Sequence, residues 1–211
     1  MRRLVITYAA WAIVCPACAS HELVRADDMS ATQHRVEAER ESEAAARAAR
    51  REDPSRETPS PSDPAVYDPK EDRQGEVMSR REHARQHAAA AEFLERFEDR
   101  ECRDVAPGSR AACPLLGPVT RLEDVPGGVR VWFANAKRVP AAMAEMRCHY
   151  AYARARHFEE AIGCPLYVRA IEIRQALDPS AIEIVSRDEK TTRRIRETAR
   201  EQALFVRQPR R

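Results

Sequence analysis

The sequence predicts an α+β domain in which two ββα units form a four-stranded antiparallel sheet with both helices on one face. Two observations support this prediction. A pair of alternating apolar stretches, separated by a turn and followed by a helical pattern, occurs twice. The triplet Cys-Pro-Leu precedes both occurrences, beginning at Cys113 and at Cys164, about 50 residues apart. Because one ββα unit alone leaves a sheet face bare, pairing the two units buries a shared core.

The first predicted unit spans residues 114–160. Apolar and polar residues alternate over 119–123, a Pro-Gly-Gly turn follows at 126–128, and a second strand returns over 129–133. This pattern is typical of a β-hairpin. Pro140 then suits the first turn of a helix, where its missing N–H has no partner to lose.

The helix of the first unit carries two chemically interesting neighbours, Cys148 and His149. On a helical wheel His149 shares a polar arc with Glu145, so we expect its imidazole to be exposed to solvent. Successive residues of a helix point about 100° apart, so Cys148 faces another direction. One metal ion is therefore not expected to bind both side chains.

The second predicted unit spans residues 165–206. A strand is expected over 167–175, and its partner returns over 181–185 after an Asp-Pro-Ser turn. Ser186 and Glu189 have the spacing of a capping box, which predicts the start of the last helix.

An amphipathic pattern over residues 74–101 predicts a helix that packs on the domain as a brace. Within it, His83 and His87 lie one helical turn apart, a spacing that can bring two imidazoles to one metal ion. No third ligand is close in sequence. Solvated surface histidines are therefore the alternative interpretation.

Residues 18–73 are predicted to form a charged and proline-rich tether, largely disordered or fraying-helical, ahead of a domain over 74–211. Residues 28–51 consist mainly of Ala, Glu and Arg, which favours a helix with no apolar face to bury. Residues 53–69 are rich in proline and serine, a composition typical of an extended spacer.

Residues 1–17 have the pattern of a signal peptide, with Arg2 and Arg3 ahead of an apolar run of 11 residues. Eleven helical residues span roughly 17 Å, which is too short for a bilayer core of about 30 Å. We therefore expect a secretory leader rather than a membrane-spanning helix.

At Ala17-Cys18 the leader resembles a bacterial lipoprotein signal, in which the cysteine is lipidated and becomes the new N-terminus. This resemblance implies lipidation of Cys18, attachment to a membrane through that lipid, and a place in the periplasm at the outer membrane. The run Ala17-Cys18-Ala19 also fits cleavage by ordinary signal peptidase, so a soluble periplasmic protein is the alternative.

The Cys148-His149 helix followed by Cys164-Pro165-Leu166 resembles exported proteins of Gram-negative bacteria over roughly residues 74–205. That resemblance brings no activity with it.

Four cysteines remain after the leader, at positions 102, 113, 148 and 164. In an exported chain disulfides are the simplest expectation. Cys102 and Cys113 bracket 10 residues, a loop whose closure is worth about 3 kcal/mol. Cys148 and Cys164 can meet if the chain reverses at Gly163 and returns beneath the helix. We therefore predict the bridges Cys102–Cys113 and Cys148–Cys164, with thiolate ligands of zinc or copper as the alternative.

Charge and motifs exclude several classes of function. The chain has 36 Lys and Arg against 34 Asp and Glu, and removing the leader leaves 34 of each, so bulk charge does not favour nucleic-acid binding. No Gly-x-Ser-x-Gly, His-Glu-x-x-His or phosphate-cradling glycine loop occurs in the sequence, and an enzyme is not expected.

Two functional hypotheses follow. The first is a non-enzymatic cell-envelope protein that presents a disulfide-stabilised interaction domain on a tether to an envelope protein partner. The second is soft-metal binding, because thiolate and imidazole ligands suit Cu(I) and Zn(II). In that case Cys148 and Cys164 are the central ligands, and the set is completed by members of a second group: Cys102, Cys113, His149 or His157.

Overall fold

The computed structural model describes residues 23–51, 69–116, 119–159 and 163–207. Within these ranges it confirms the predicted α+β class, with four α-helices and a four-stranded antiparallel sheet. The leader, Cys18 and most of the proline-rich run lie outside the described residues. No helix in the described ranges is both long enough and apolar enough to cross a bilayer.

The elements follow the predicted order along the chain. They are α1 (Ala31–Arg50), α2 (Pro69–Glu101), β1 (Val119–Val125), β2 (Gly128–Phe133), α3 (Val139–Ala155), β3 (Glu172–Gln175), β4 (Ala181–Val185) and α4 (Glu189–Arg207).

The sheet joins two hairpins back to back in the order β1-β2-β4-β3. At its centre β2 pairs antiparallel with β4, so that Val129 lies opposite Ile184 and Val131 opposite Ile182. These four side chains share one face and are buried. They form the main core together with residues of both following helices, including Met146 on α3. Both helices therefore cover the same face of the sheet, as predicted.

Each helix packs mainly on the strands of the other unit. α3 follows β2 but lies against β3 and β4, whereas α4 follows β4 and lies chiefly against β2 and β1. Neither ββα unit therefore has a complete core by itself, and burial of the apolar sheet face requires both units.

The helix α2 packs on α3, which confirms the predicted brace. The segment predicted as a tether differs from the expectation, because α1 packs along α2. Its buried positions are Ala31, His34, Ala45 and Ala48. Because this helix lacks large apolar residues, the sequence predicts no apolar face on it. Small side chains instead let the two helices approach closely and bury a narrow stripe.

Two local predictions in the second unit were wrong. The strand expected over 167–175 is regular only from Glu172, because residues 164–167 turn into the core and Ala170 adopts a positive φ of 57°. The expected capping box at Ser186 is replaced by Asp188, whose Oδ1 accepts from the backbone N–H of Thr191 at 2.7 Å. The Ser186 hydroxyl oxygen accepts from the N–H of Asp188 instead, at 3.1 Å.

Candidate metal centre

Three potential metal ligands converge on one point of the core. The Sγ atoms of Cys113 and Cys164 and a ring nitrogen of His149 all lie within 4.8 Å of one another. Within the described ranges this is the one group of three or more Cys, His, Asp or Glu side chains close enough to hold an ion together. Cys113 precedes the first hairpin, His149 lies on α3, and Cys164 precedes the second hairpin.

The repeated Cys-Pro-Leu triplet explains why the two cysteines meet. Leu115 and Leu166, the third residues of the triplets, are both buried in the main core. Each leucine anchors its triplet in the core shared by the two units, which places Cys113 and Cys164 side by side. Gly163, with a positive φ of 91°, makes the turn that leads into the second triplet.

His149 is buried, with only 1% of its surface exposed, so the predicted exposure was wrong. The polar arc of α3 is covered by the segment between α2 and β1, whose Arg110 carbonyl oxygen lies 2.8 Å from Nδ1 of His149. Arg110 is itself held by Glu98 of α2 at 3.1 Å, and Glu98 also pairs with Arg156 at 2.8 Å. A helical wheel cannot register such a covering loop.

The hydrogen bonds of His149 determine which ring nitrogen faces the cysteines. A carbonyl oxygen only accepts, so Nδ1 must carry the hydrogen that is donated to Arg110. Nε2 then faces the Sγ atom of Cys164 at 3.4 Å. The ring also packs on Tyr167, with centroids 4.9 Å apart. The imidazole is therefore held in a fixed orientation, with the nitrogen that can bind a metal directed at the thiols.

The two thiols differ in their environment. The hydrogen bond from the Cys164 thiol, assisted by His149, lowers the pKa of Cys113 to about 5. The same hydrogen bond, together with burial, raises the pKa of Cys164 well above its ordinary value. The first proton of the pair is therefore lost from Cys113 rather than from Cys164.

A groove of about 430 Å³ leads to the site from solvent. It is lined by seven of the residues between Asp104 and Pro114 and, on the first turns of α3, by Ala141, Ala144 and Glu145. Cys113 lies in this groove and is half-buried, whereas Cys164 is buried. In its protonated form the Cys113 thiol donates to Oε1 of Gln202 on α4, 3.3 Å away.

The contact between Cys164 and His149 already has the spacing of two ligands on one metal ion. Zinc–sulfur and zinc–nitrogen bonds of about 2.3 and 2.0 Å at a tetrahedral ion separate neighbouring sulfur and nitrogen ligands by about 3.6 Å. The distance between Cys164 Sγ and His149 Nε2 is 3.4 Å, already close to that value. The Arg110 carbonyl supplies the outer hydrogen bond that metal-ligating histidines usually make.

The predicted disulfide pairs were wrong. The structure joins Cys102, at the end of α2, to Cys148 on α3, and leaves Cys113 and Cys164 as free thiols. Cys148 faces α2 while its neighbour His149 faces Cys164, in keeping with the 100° between successive helical residues. Cys148 is thus not a metal ligand, and neither is Cys102.

The predicted pair His83 and His87 belongs to no group of three or more potential metal ligands among the described residues. His87 instead reaches across to α1, where its Nδ1 lies 2.9 Å from Nδ1 of the buried His34. Nε2 of His34 contacts the carbonyl oxygen of Ala26 at 3.2 Å. The contact between His34 and His87 ties the two helices together.

Of the eight candidate metal ligands, the structure brings together Cys113, His149 and Cys164. Gln202 and the Arg110 carbonyl were missed, since a backbone oxygen and a distant helix residue carry no sequence motif. The duplicated triplet was the signal that could have placed Cys113 beside Cys164. Comparisons with protein-family models, with curated proteins and with solved structures found no match.

Proposed function

We propose that this protein binds a soft metal ion, Cu(I) or Zn(II), through Cys113, His149 and Cys164. The observation that carries the proposal is the convergence of two sulfurs and one imidazole nitrogen within 4.8 Å. Two thiolates and an imidazole favour these metals over Mg²⁺ or Ca²⁺, which prefer oxygen ligands.

The coordination number separates the two ions. Three ligands complete a trigonal Cu(I) site, whereas Zn(II) takes a fourth ligand. The groove beside Cys113 admits water to such a position, and Gln202 places an amide oxygen 3.3 Å from the Cys113 sulfur. Both cysteines bind the ion as thiolates, so binding releases protons and the affinity increases with pH.

The test measures metal bound by the full chain after its free thiols have been kept reduced. We expect one Cu(I) or Zn(II) per chain, with cobalt(II) as a spectroscopic stand-in that reports thiolate ligation. Cys113→Ser and Cys164→Ser should abolish binding. His149→Ala should weaken it at least about tenfold, since one of three ligands is lost.

His83→Gln and His87→Gln serve as matched controls and should bind as the wild type does. The proposal is contradicted if the reduced wild-type chain binds no metal. It is also contradicted if both serine variants still bind metal. Loss of binding in the His83 or His87 variants places the ion on α2 and contradicts it as well.

The interaction-domain hypothesis ranks second. It depends on the leader and on the proline-rich spacer, and these fall largely outside residues 23–51, 69–116, 119–159 and 163–207. Lipid attachment at Cys18 and an envelope protein partner stay predictions. Crosslinking in the native host, followed by identification of the partner, tests them independently of the metal.

A further inference from the structure

Cys113 and Cys164 are also adjacent as a pair of thiols, apart from any metal. Their sulfurs lie no more than 4.8 Å apart. A disulfide requires an approach to about 2.05 Å. Because both cysteines lie in short irregular segments ahead of their hairpins, side-chain rotation and small backbone shifts can provide it.

The two sulfurs are not equally accessible. Cys113 is half-buried and lines the groove of about 430 Å³, whereas Cys164 is 3% exposed and lies behind it. A disulfide-bearing molecule that enters the groove therefore reaches Cys113 first. The Cys102–Cys148 bridge offers a contrast, since both of its cysteines are 0% exposed.

We infer that Cys113 and Cys164 form a dithiol–disulfide couple that exchanges with disulfide substrates entering through the groove. This is an activity beyond metal binding, and it does not depend on it. The substrate class is a small-molecule or peptide disulfide, RSSR, in which each sulfur carries one R group.

The exchange balances in two steps. First, Cys113 loses its proton and its thiolate bonds to one sulfur of RSSR, the substrate S–S bond breaks, and the released thiolate takes up that proton and leaves as RSH. Next, the Cys164 sulfur bonds to Cys113, the mixed disulfide breaks, and a second RSH leaves with the Cys164 proton. The cysteine pair is oxidised by two electrons, and RSSR is reduced to two RSH.

Metal binding and disulfide formation exclude each other in this arrangement. A Cys113–Cys164 bridge consumes both sulfur ligands and leaves His149 alone, which is too few ligands to hold an ion. The oxidised chain should therefore release its metal, and the metal-loaded chain should react slowly with a disulfide.

The experiment equilibrates the full metal-free chain with glutathione and glutathione disulfide in a series of ratios, followed by acid quenching and peptide mass mapping. We expect a Cys113–Cys164 linkage, with loss of two hydrogen masses, at high disulfide. The linkage should disappear at high thiol, while the Cys102–Cys148 linkage stays intact at every ratio and serves as the internal control.

Two single variants test the assigned order of attack. Cys164→Ser should accumulate a glutathione adduct on Cys113, because the second step is blocked. Cys113→Ser should accumulate at least about tenfold less adduct on Cys164, because that sulfur is buried behind the groove. Circular dichroism of both variants checks that they are folded.

Three results would overturn the inference. They are the absence of a Cys113–Cys164 linkage at any ratio, a linkage that glutathione does not reduce in the native chain, and equal adducts in the two single variants. Metal stoichiometry of the reduced chain is a separate measurement. If the chain binds no metal but forms and loses the Cys113–Cys164 disulfide reversibly, only the proposed function is contradicted. If it binds metal but does not form this disulfide, only the present inference is contradicted.

Discussion

Arg130 on β2 lies directly opposite Glu183 on β4, at the centre of the sheet where the two hairpins meet. Nη2 of Arg130 donates to Oε1 of Glu183 at 2.7 Å, and Arg174 on β3 donates to the other carboxylate oxygen at 3.0 Å. On the outer side, Glu123 of β1 lies 3.9 Å from Arg130. The face of the sheet opposite the core thus carries one row of alternating charges, with one residue from each strand.

Glu183 is the buried member of this row, so we expect Glu183→Gln to lower the free energy of unfolding by about 1 to 2 kcal/mol. The hydrogen bond from Arg130 is the main reason that the pKa of Glu183 is lowered. Its stabilising contribution is therefore present above the ordinary glutamate value of 4.5 and is lost as pH falls through the lower folded value.

Urea unfolding at neutral pH and at acid pH measures this effect. Glu172→Gln, an exposed residue on the edge strand β3, is the control and should change little. Equal stability losses in the two variants would show that the row contributes nothing specific.

Gly128 begins β2 and lies opposite Val185 of β4. A Cβ atom at this position would lie 2.0 Å from the backbone oxygen of Ile184 and 2.9 Å from the Cα of Val185. Since neither backbone atom can move without breaking the central strand pair, Gly128→Ala should cost about 3 kcal/mol.

Gly75→Ala is the matched control for Gly128→Ala in a thermal unfolding experiment. Gly75 lies in α2, and a Cβ atom there meets nothing within 4 Å. Alanine is the better helix former, so this change should raise stability by up to about 1 kcal/mol. A Gly128→Ala protein as stable as the wild type would contradict the close approach of β2 and β4.

The Cys102–Cys148 bridge closes a loop with a sequence separation of 46 residues. In the chain-entropy model such a loop is worth about 4 kcal/mol, so the Cys102→Ala/Cys148→Ala double variant should lose about that much stability. Guanidinium unfolding provides the measurement. Because neither cysteine is a ligand, metal stoichiometry of the folded variant should be unchanged. A variant that loses the metal while it stays folded would mean that the bridge and the site are coupled.

The pair His34 and His87 should make the packing of α1 on α2 sensitive to pH. Burial, and then the charge of His34, lowers the pKa of His87, although Glu37 and Glu41 act in the opposite direction. The folded chain therefore takes up a proton less readily than the unfolded chain. Stability falls as pH drops through the ordinary value of 6.5 towards the lower folded value.

We expect the thermal midpoint to decrease between about pH 7.5 and about pH 5.5, and His87→Gln to remove part of that decrease. His83→Gln, one turn earlier on α2, is the control and should keep it. A His87→Gln variant with the full pH dependence of the wild type would contradict this role of the pair.

The sequence by itself determined the class of fold. Apolar residues recur at every second position within 119–133 and 181–185, so one face of each strand is apolar. The apolar faces of the two hairpins are removed from water only if they share one core. The turn residues and Pro140 located the first hairpin and α3 within a few residues. These features depend on neighbours in sequence, which is why a linear pattern records them.

The tertiary structure alone decided which groups meet. The loop carrying Arg110 covers His149, Cys102 joins Cys148 across α2 and α3, and His87 pairs with His34 on another helix. The entropic cost of closing a loop increases only slowly with the number of residues in it. The distance in sequence between two cysteines was therefore a poor guide to which cysteines pair. Because Leu115 and Leu166 are buried in one core, Cys113 and Cys164 lie close together despite their separation in sequence.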